Sequence, residues 1–210
     1  MVMREILIQD DIKLVEDKLK QFEMNTGCEL LLVLAKSSDE YPGATWRFGI
    51  LSSFIVTFIF SLFFEFQHGY LWPLFLMALT IFFVWIGHFS WAKKIALSDI
   101  EVHRECMEKS IEYFHTLGTS KVTHKITAMI MVSVLERKIM VLVDEKLKDK
   151  ISQNDLDGLV FNMQMHFKNG NMGLGFIQSI ESLEQKIIKN FEGKIGDINP
   201  SELSDLIHFV

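Results

Sequence analysis

The chain has 210 residues, 21 of them Lys or Arg and 27 Asp or Glu, for a net charge of -6, and 49% of its residues are hydrophobic. An acidic balance with no polybasic run offers nothing to a nucleic-acid backbone, so no nucleic-acid partner is expected. Cys28 and Cys106 are the only cysteines and lack CxxC spacing, which excludes a disulfide framework and leaves two reduced thiols. Met1 to Ile8 carries Arg4 and Glu5 and has no long apolar core, so no cleavable signal peptide is expected there.

Gln9 to Asn25 has apolar residues at Ile12, Val15, Leu19 and Phe22, the spacing of an amphipathic helix. Asp10 or Asp11 is placed to cap it, and Gly27 to stop it. Cys28 to Ala35 is a continuous apolar run of strand length, the pattern of a strand covered on both faces.

From Trp46 to Trp91 the pattern changes. Phe48 to Phe64 is seventeen residues without a formal charge, and Tyr70 to Trp91 is twenty-two whose only titratable groups are Tyr70 and His88. A helix needs roughly 20 apolar residues to cross a hydrocarbon core, so the pair reads as a transmembrane hairpin turning at Glu65 to Gly69. All four tryptophans fall in this stretch, three of them near helix ends, where the headgroup level favours them. Arg47, Lys93 and Lys94 flank the spans and the connecting loop has no Lys or Arg, which predicts both termini on the cytoplasmic side.

Beyond the hairpin, Ile100, His103, Met107, Ile111 and Phe114 make a helical stripe ending near Gly118. No proline or glycine interrupts Ala92 to Leu117, so the second span is expected to continue unbroken into this helix, with Ser98-Asp99 as the competing cap signal. Ile126 to Val134 and Lys138 to Val143 read as an antiparallel strand pair across Leu135-Glu136-Arg137. Ser152 with Asp155 begins a helix with buried face Leu156, Leu159, Val160, Met163 and Phe167. Asn171 is placed to cap the next, whose stripe is Leu174, Ile177, Ile180, Leu183 and Ile187. Residues 193–210 read as a loose tail with at most a short helix after Ser201.

The predicted organisation is therefore residues 1–45 and 93–192 as two parts of one cytoplasmic α/β domain, 46–92 as the hairpin and 193–210 as a tail. The first part holds one helix and one strand, too little to bury a face alone, so its strand is expected beside Ile126 to Val134.

This order of elements resembles the TPM-domain family, in the subgroup with a transmembrane hairpin after the first strand. The likeness rests on Thr26-Gly27-Cys28-Glu29-Leu30, Ser38-Asp39-Glu40-Tyr41, His103-Arg104, Ile130 to Asp144, and Gly173-Leu174 to Ile180. It implies an α/β/α sandwich with a small mixed sheet and, as in family members, either acid-phosphatase-like activity with calcium binding or a role in assembling or repairing membrane complexes. It also implies a bacterial inner-membrane location.

Glu136-Arg137 is the sharpest polar pair: an Arg that could handle an anion, oriented by a carboxylate, with Glu29, Asp39 and Asp144 as companion acids by family analogy. Against this, tight turns between strands favour polar residues anyway. Metal-binding relatives carry an acidic loop before the second strand, where this chain has Thr119-Ser120-Lys121-Val122-Thr123-His124-Lys125. Calcium needs several oxygen ligands, which two lysines and a histidine do not supply, so no cofactor or metal is expected. His103 and Cys106, three residues apart on a helix, make a weak metal pair. No Gly-x-Ser-x-Gly or phosphate-cradling loop is present. The expected function is an interaction, assembly or quality-control module with a membrane-protein partner; a phosphate-ester hydrolase is the alternative.

Overall fold

A computed structural model describes residues 9–64, 69–119, 127–191 and 207–210. The chain divides into two compact units, Met1–Ser38 with Glu105–Val210, and Asp39–Arg104.

The first unit is built on a four-stranded sheet in the order β3-β2-β1-β4, with β1 at Glu29–Ala35, β2 at Thr127–Ser133, β3 at Lys138–Val143 and β4 at His208–Phe209. β1 and β2 run parallel with Leu32 opposite Ile130, and β2 and β3 form the expected antiparallel hairpin. Every residue of β1 and of β2 is buried, as a strand covered on both faces requires. The early and late parts of the sequence thus share one sheet.

Three long helices cover one face: α1 (Gln9–Thr26), α7 (Gln153–Lys168) and α8 (Met172–Asn190). Their core joins Val15, Leu19 and Phe22 to Leu30, Leu32, Leu34 and Ile130 of the sheet, and to Leu159, Met163, Phe176 and Ile180. Leu31, Val33, Met129 and Met131 point to the other face. There they meet Tyr113, the last residue of α5 (Asp99–Tyr113), and Phe114 and Leu117 of the π-helical turn Phe114–Thr119. The fold is α/β with both sheet faces covered. A short helix α6, Glu145–Lys148, follows β3.

Local signals explain most boundaries. Gly27 stops α1 with φ 72, a left-handed conformation open to glycine at little cost. Ser152 and Asp155 form the expected capping box at α7, each side chain bonding the other's backbone N–H. Lys186 of α8 binds the same Asp155 carboxylate. Three readings need correction. α1 already includes Gln9, so Asp10 and Asp11 lie within the helix and not before it. Asn171 stands at the start of α8 without a capping hydrogen bond from its side chain. Residues 207–210 are not loose: β4 adds to β1 in parallel, with Lys36 N–H donating to the Val210 carbonyl at 2.9 Å. A helix after Ser201 would lie outside the described residues.

The second unit contains α2 (Pro42–Ser61), α3 (Leu71–Gly87) and α4 (Ser90–Ala96). Here the expected unbroken rod fails. Phe89 is extended at φ -73, ψ 140, and Leu97 at φ -78, ψ 134, so α3, α4 and α5 are separate helices. α4 leaves α3 at 106°. The Ser98-Asp99 signal wins because Ser98 supplies the carbonyl that accepts the Val102 N–H at 2.9 Å, starting a new helix.

The α5 stripe also differs from the expected one, except at its end, where Phe114 packs on the sheet. Val102, Cys106 and Ser110 are buried, whereas Ile100 is 82% exposed and Met107 and Ile111 are also exposed. The eye follows the bulky apolar residues; the helix turns a row of smaller ones inward.

Leu32 is fully buried at the centre of the sheet. Leu32→Asp should cost several kcal/mol and abolish cooperative unfolding in urea, because the carboxylate has no partner there. A second prediction concerns acid. Lys186 and then Ser152 hold the Asp155 carboxyl down at about 2. A depressed folded-state value adds stability that is complete above the unfolded value near 4 and is lost as pH falls toward 2. Amide exchange in the first turn of α7 should therefore rise over that window, and Lys186→Met should move its onset to higher pH.

Candidate functional site

The carboxyl ends of β1 and β2 gather a polar cluster from three separate parts of the first unit. Leaving β1, the chain is pinned to the β2–β3 turn by Val134 N–H to the Ala35 carbonyl and Leu135 N–H to the Lys36 carbonyl, each 3.0 Å. This brings Ser38 beside Glu136. Ser38 N–H donates to Glu136 Oε1 at 2.8 Å, and the buried Ser133 hydroxyl donates to Glu136 Oε2. Ser38 Oγ in turn donates to Cys106 Sγ at 3.1 Å. The crevice beyond the carboxyl ends of parallel strands is the usual binding position in α/β folds.

Each member has a constrained role. Glu136 uses both oxygens to tie β1's exit to the hairpin. Arg137 completes the turn with φ 55, a left-handed conformation that costs a non-glycine residue energy. Its side chain is exposed and has no hydrogen bond or ion pair among the described residues. Burial pushes the Cys106 thiol above its usual range, more than the Ser38 hydrogen bond lowers it. Ser133 is fully buried, so its hydroxyl, although bonded to a carboxylate, is closed to a substrate.

Two of the other predicted acids, Glu29 and Asp144, lie at the opposite end of the strands. Glu29 opens β1 opposite Thr127, and Asp144 follows β3 with its N–H on the Thr127 carbonyl at 3.0 Å. They stand at the amino ends of β1 and β2, roughly 20 Å from Glu136 at ~3.3 Å per strand residue. Cys28 lies there too. Burial raises its thiol to about 11, with Asp144 and Glu29 adding to the shift and a Thr26 hydrogen bond opposing it. Asp39 belongs to the second unit, where Oδ2 accepts the Tyr41 N–H at 3.1 Å and shapes the turn into α2.

Glu136 is therefore joined by Ser38 and Ser133 and, through Ser38, by Cys106, while Glu29 and Asp144 stand at the other end of the strands. The signal for Ser133 was a hydroxyl at the end of an otherwise apolar strand. Cys106 is buried and His103 exposed, so the helical pair does not converge. Among the described residues no group of three or more His, Cys, Asp or Glu is placed to hold a metal ion. The Thr119 to Lys125 loop lies, beyond Thr119, outside the described residues.

Comparison with known proteins agrees with this architecture. The family model of the TPM domain, labelled TPM_phosphatase, matches residues 96–186. That stretch holds α5, the hairpin and most of α8. The BA42 protein from the psychrophilic bacterium Bizionia argentinensis has a similar fold: its NMR structure is 16% identical in sequence, with TM-score 0.57 over 97% of this chain and 95% of that one. No curated protein matches this sequence.

Glu136→Ala would leave the Ser38 N–H and Ser133 hydroxyl without their acceptor. It should destabilise the first unit by about 1–3 kcal/mol in chemical denaturation, with Glu136→Gln losing less. Neither thiol should react with a maleimide at neutral pH until the protein unfolds, because both are buried and protonated.

Proposed function

We propose that this protein is a membrane-anchored TPM-like domain in which α2 and α3 cross the bilayer as a hairpin, and the α/β unit serves as an interaction, assembly or quality-control module for membrane proteins. The reading is carried by how α2 meets α3. One helix, α2, is long and apolar enough to cross a membrane, and α3 with α4 makes a second if that bent pair counts as one span.

The pair packs inside out relative to a water-soluble pair. Ala44, Thr45, Gly49 and Ser53 are the buried residues of α2, and Gly87 is that of α3. A Cβ on Gly49 would sit 2.9 Å from the Val84 backbone nitrogen, and one on Gly87 2.9 Å from the Thr45 carbonyl oxygen, so the helices approach at backbone distance. Thr80 donates to Ser53 Oγ at 2.9 Å between them. Meanwhile Leu51, Phe54, Ile55, Phe58, Ile81 and Trp85 face outward, each more than half exposed. Water would penalise that surface and hydrocarbon would not. Small and hydroxyl-bearing side chains between helices, with bulky apolar ones outside, is how helices associate in lipid. The same contact explains Thr80 and Gly87, the polar and small features of the second span.

A docking role is supported by the exposed Met107 and Ile111 on α5 and by the exposed Arg137. Glu136 meanwhile is spent within the fold. Positive-inside flanks favour cytoplasmic termini in an inner membrane. The second reading, an acid-phosphatase-like phosphate-ester hydrolase, metal-assisted or not, is favoured by the family match, and Arg137 would then face the phosphate.

Alkaline carbonate should leave the protein in the membrane pellet. Gly69→Cys should react with an impermeant maleimide from outside intact cells, whereas Glu112→Cys should react only after lysis; the reverse pattern would invert the topology. Purified protein should show no phosphomonoesterase activity above a blank, with or without calcium or magnesium. Activity abolished by Arg137→Ala would favour the hydrolase instead.

A further inference from the structure

The sharp turn at the end of α3 creates a recess whose chemistry no known property of the chain accounts for. Glu40, Thr45, Trp46, Val84, His88 and Lys93 line it, and its volume is about 470 Å³, inside the ~300–1,000 Å³ range of small-molecule sites. A smaller recess beside it is bounded by Trp85, His88 and Phe89. Trp46, Trp85 and Phe89 are each about half exposed or more, so the rim is aromatic and amphipathic.

The polar groups are poised. Lys93 Nζ donates to the Glu40 carbonyl at 2.7 Å, which fixes the ammonium at the recess and leaves two of its three N–H donors for a ligand. His88 Nδ1 lies 3.0 Å from the Val84 carbonyl. A carbonyl only accepts, so Nδ1 carries a proton, and in that tautomer of the imidazole Nε2 is the acceptor facing the recess. Glu40 is exposed and is the one carboxylate among the lining residues. The set offers donors for one anionic group and acceptors for one N–H-bearing cation.

We propose that this recess binds the headgroup of phosphatidylethanolamine, with Lys93 on the phosphodiester, Glu40 and His88 accepting from the primary ammonium, and the tryptophans against the glycerol and first acyl carbons. A phosphatidylcholine headgroup has no ammonium N–H to give, and phosphatidylglycerol has no cation for Glu40. The inference rests on the hairpin reading, which puts α4, with Trp91, Lys93 and Lys94, at the headgroup level.

The test is native mass spectrometry of the full chain in detergent, with equal amounts of phosphatidylethanolamine, phosphatidylglycerol and phosphatidylcholine, and inorganic phosphate as a competitor. Phosphatidylethanolamine should be retained best. Lys93→Met should reduce its binding roughly tenfold, as the loss of one hydrogen bond to a charged group implies. Lys93→Arg should restore most of it, and Lys94→Met, which changes a charge outside the recess, should leave it unchanged. Glu40→Gln keeps the backbone carbonyl for Lys93 and should erase the preference over phosphatidylcholine, so it tests the site even if Lys93→Met misfolds. Equal retention of the three lipids, equal effects at Lys93 and Lys94, or displacement by inorganic phosphate would overturn the site. Carbonate extraction of the wild type separates the two readings: a protein released from the membrane loses hairpin and site together, and one retained without lipid preference loses the site alone.

Discussion

The parallel pairing of β1 with β2 is the constraint on which the rest depends. β1 is buried along its whole length, so its backbone groups need partners from neighbouring strands and its side chains need cover on both faces. Those partners come from residues nearly a hundred positions later, and the segment between them includes the entire second unit. A parallel crossover needs a long connection in any case. Here the connection carries the apolar helical pair, inserted at the point where a crossover already has to leave the sheet.

The two units bury opposite kinds of side chain. In the first, leucine, isoleucine and phenylalanine go inward and charges go out, with Lys18 bridging to Glu181 at 3.1 Å on the surface between α1 and α8. In the second, glycine, threonine and serine go inward and phenylalanine and isoleucine go out. Hydroxyls are useful in such a contact because each can return a hydrogen bond to its own helix. Thr80 can give its one hydrogen either to the Leu76 carbonyl at 2.8 Å or across to Ser53 Oγ at 2.9 Å, so the interface is polar without leaving that hydroxyl unpaired.

Glu136 shows why a motif's sharpness is a poor guide to its chemistry. A carboxylate next to an arginine in a strand turn reads as a reactive pair, yet its oxygens are engaged by Ser38 and Ser133, which hold the exit of β1 against the hairpin. Arg137 is the member left facing solvent, on a left-handed backbone. In this geometry the guanidinium is exposed while the neighbouring Ser133 hydroxyl and Cys106 thiol are closed off.

What the sequence determined by itself was whatever depends on local spacing: β1 and β2 as apolar runs, the β3 hairpin, the Gly27 stop, the Ser152 capping box and the two charge-free stretches. Each reflects interactions within a few residues or a simple solvent preference, so the pattern survives without knowledge of neighbours. Tertiary structure decided the rest. Whether α5 buries Ile100 and Met107 or Val102 and Cys106 depends on which neighbours pack against it, and bulk alone pointed to the wrong side. The end of the chain became a strand because β1 had an open edge, not because two residues have strong preferences of their own. The break at Leu97 interrupts a pattern that local spacing reads as one helix. Most of all, the parallel register separates Glu29 and Asp144 from Glu136 by the length of a strand and sets Ser38, Ser133 and Cys106 beside it, a grouping set by how distant segments pair and therefore by no local spacing.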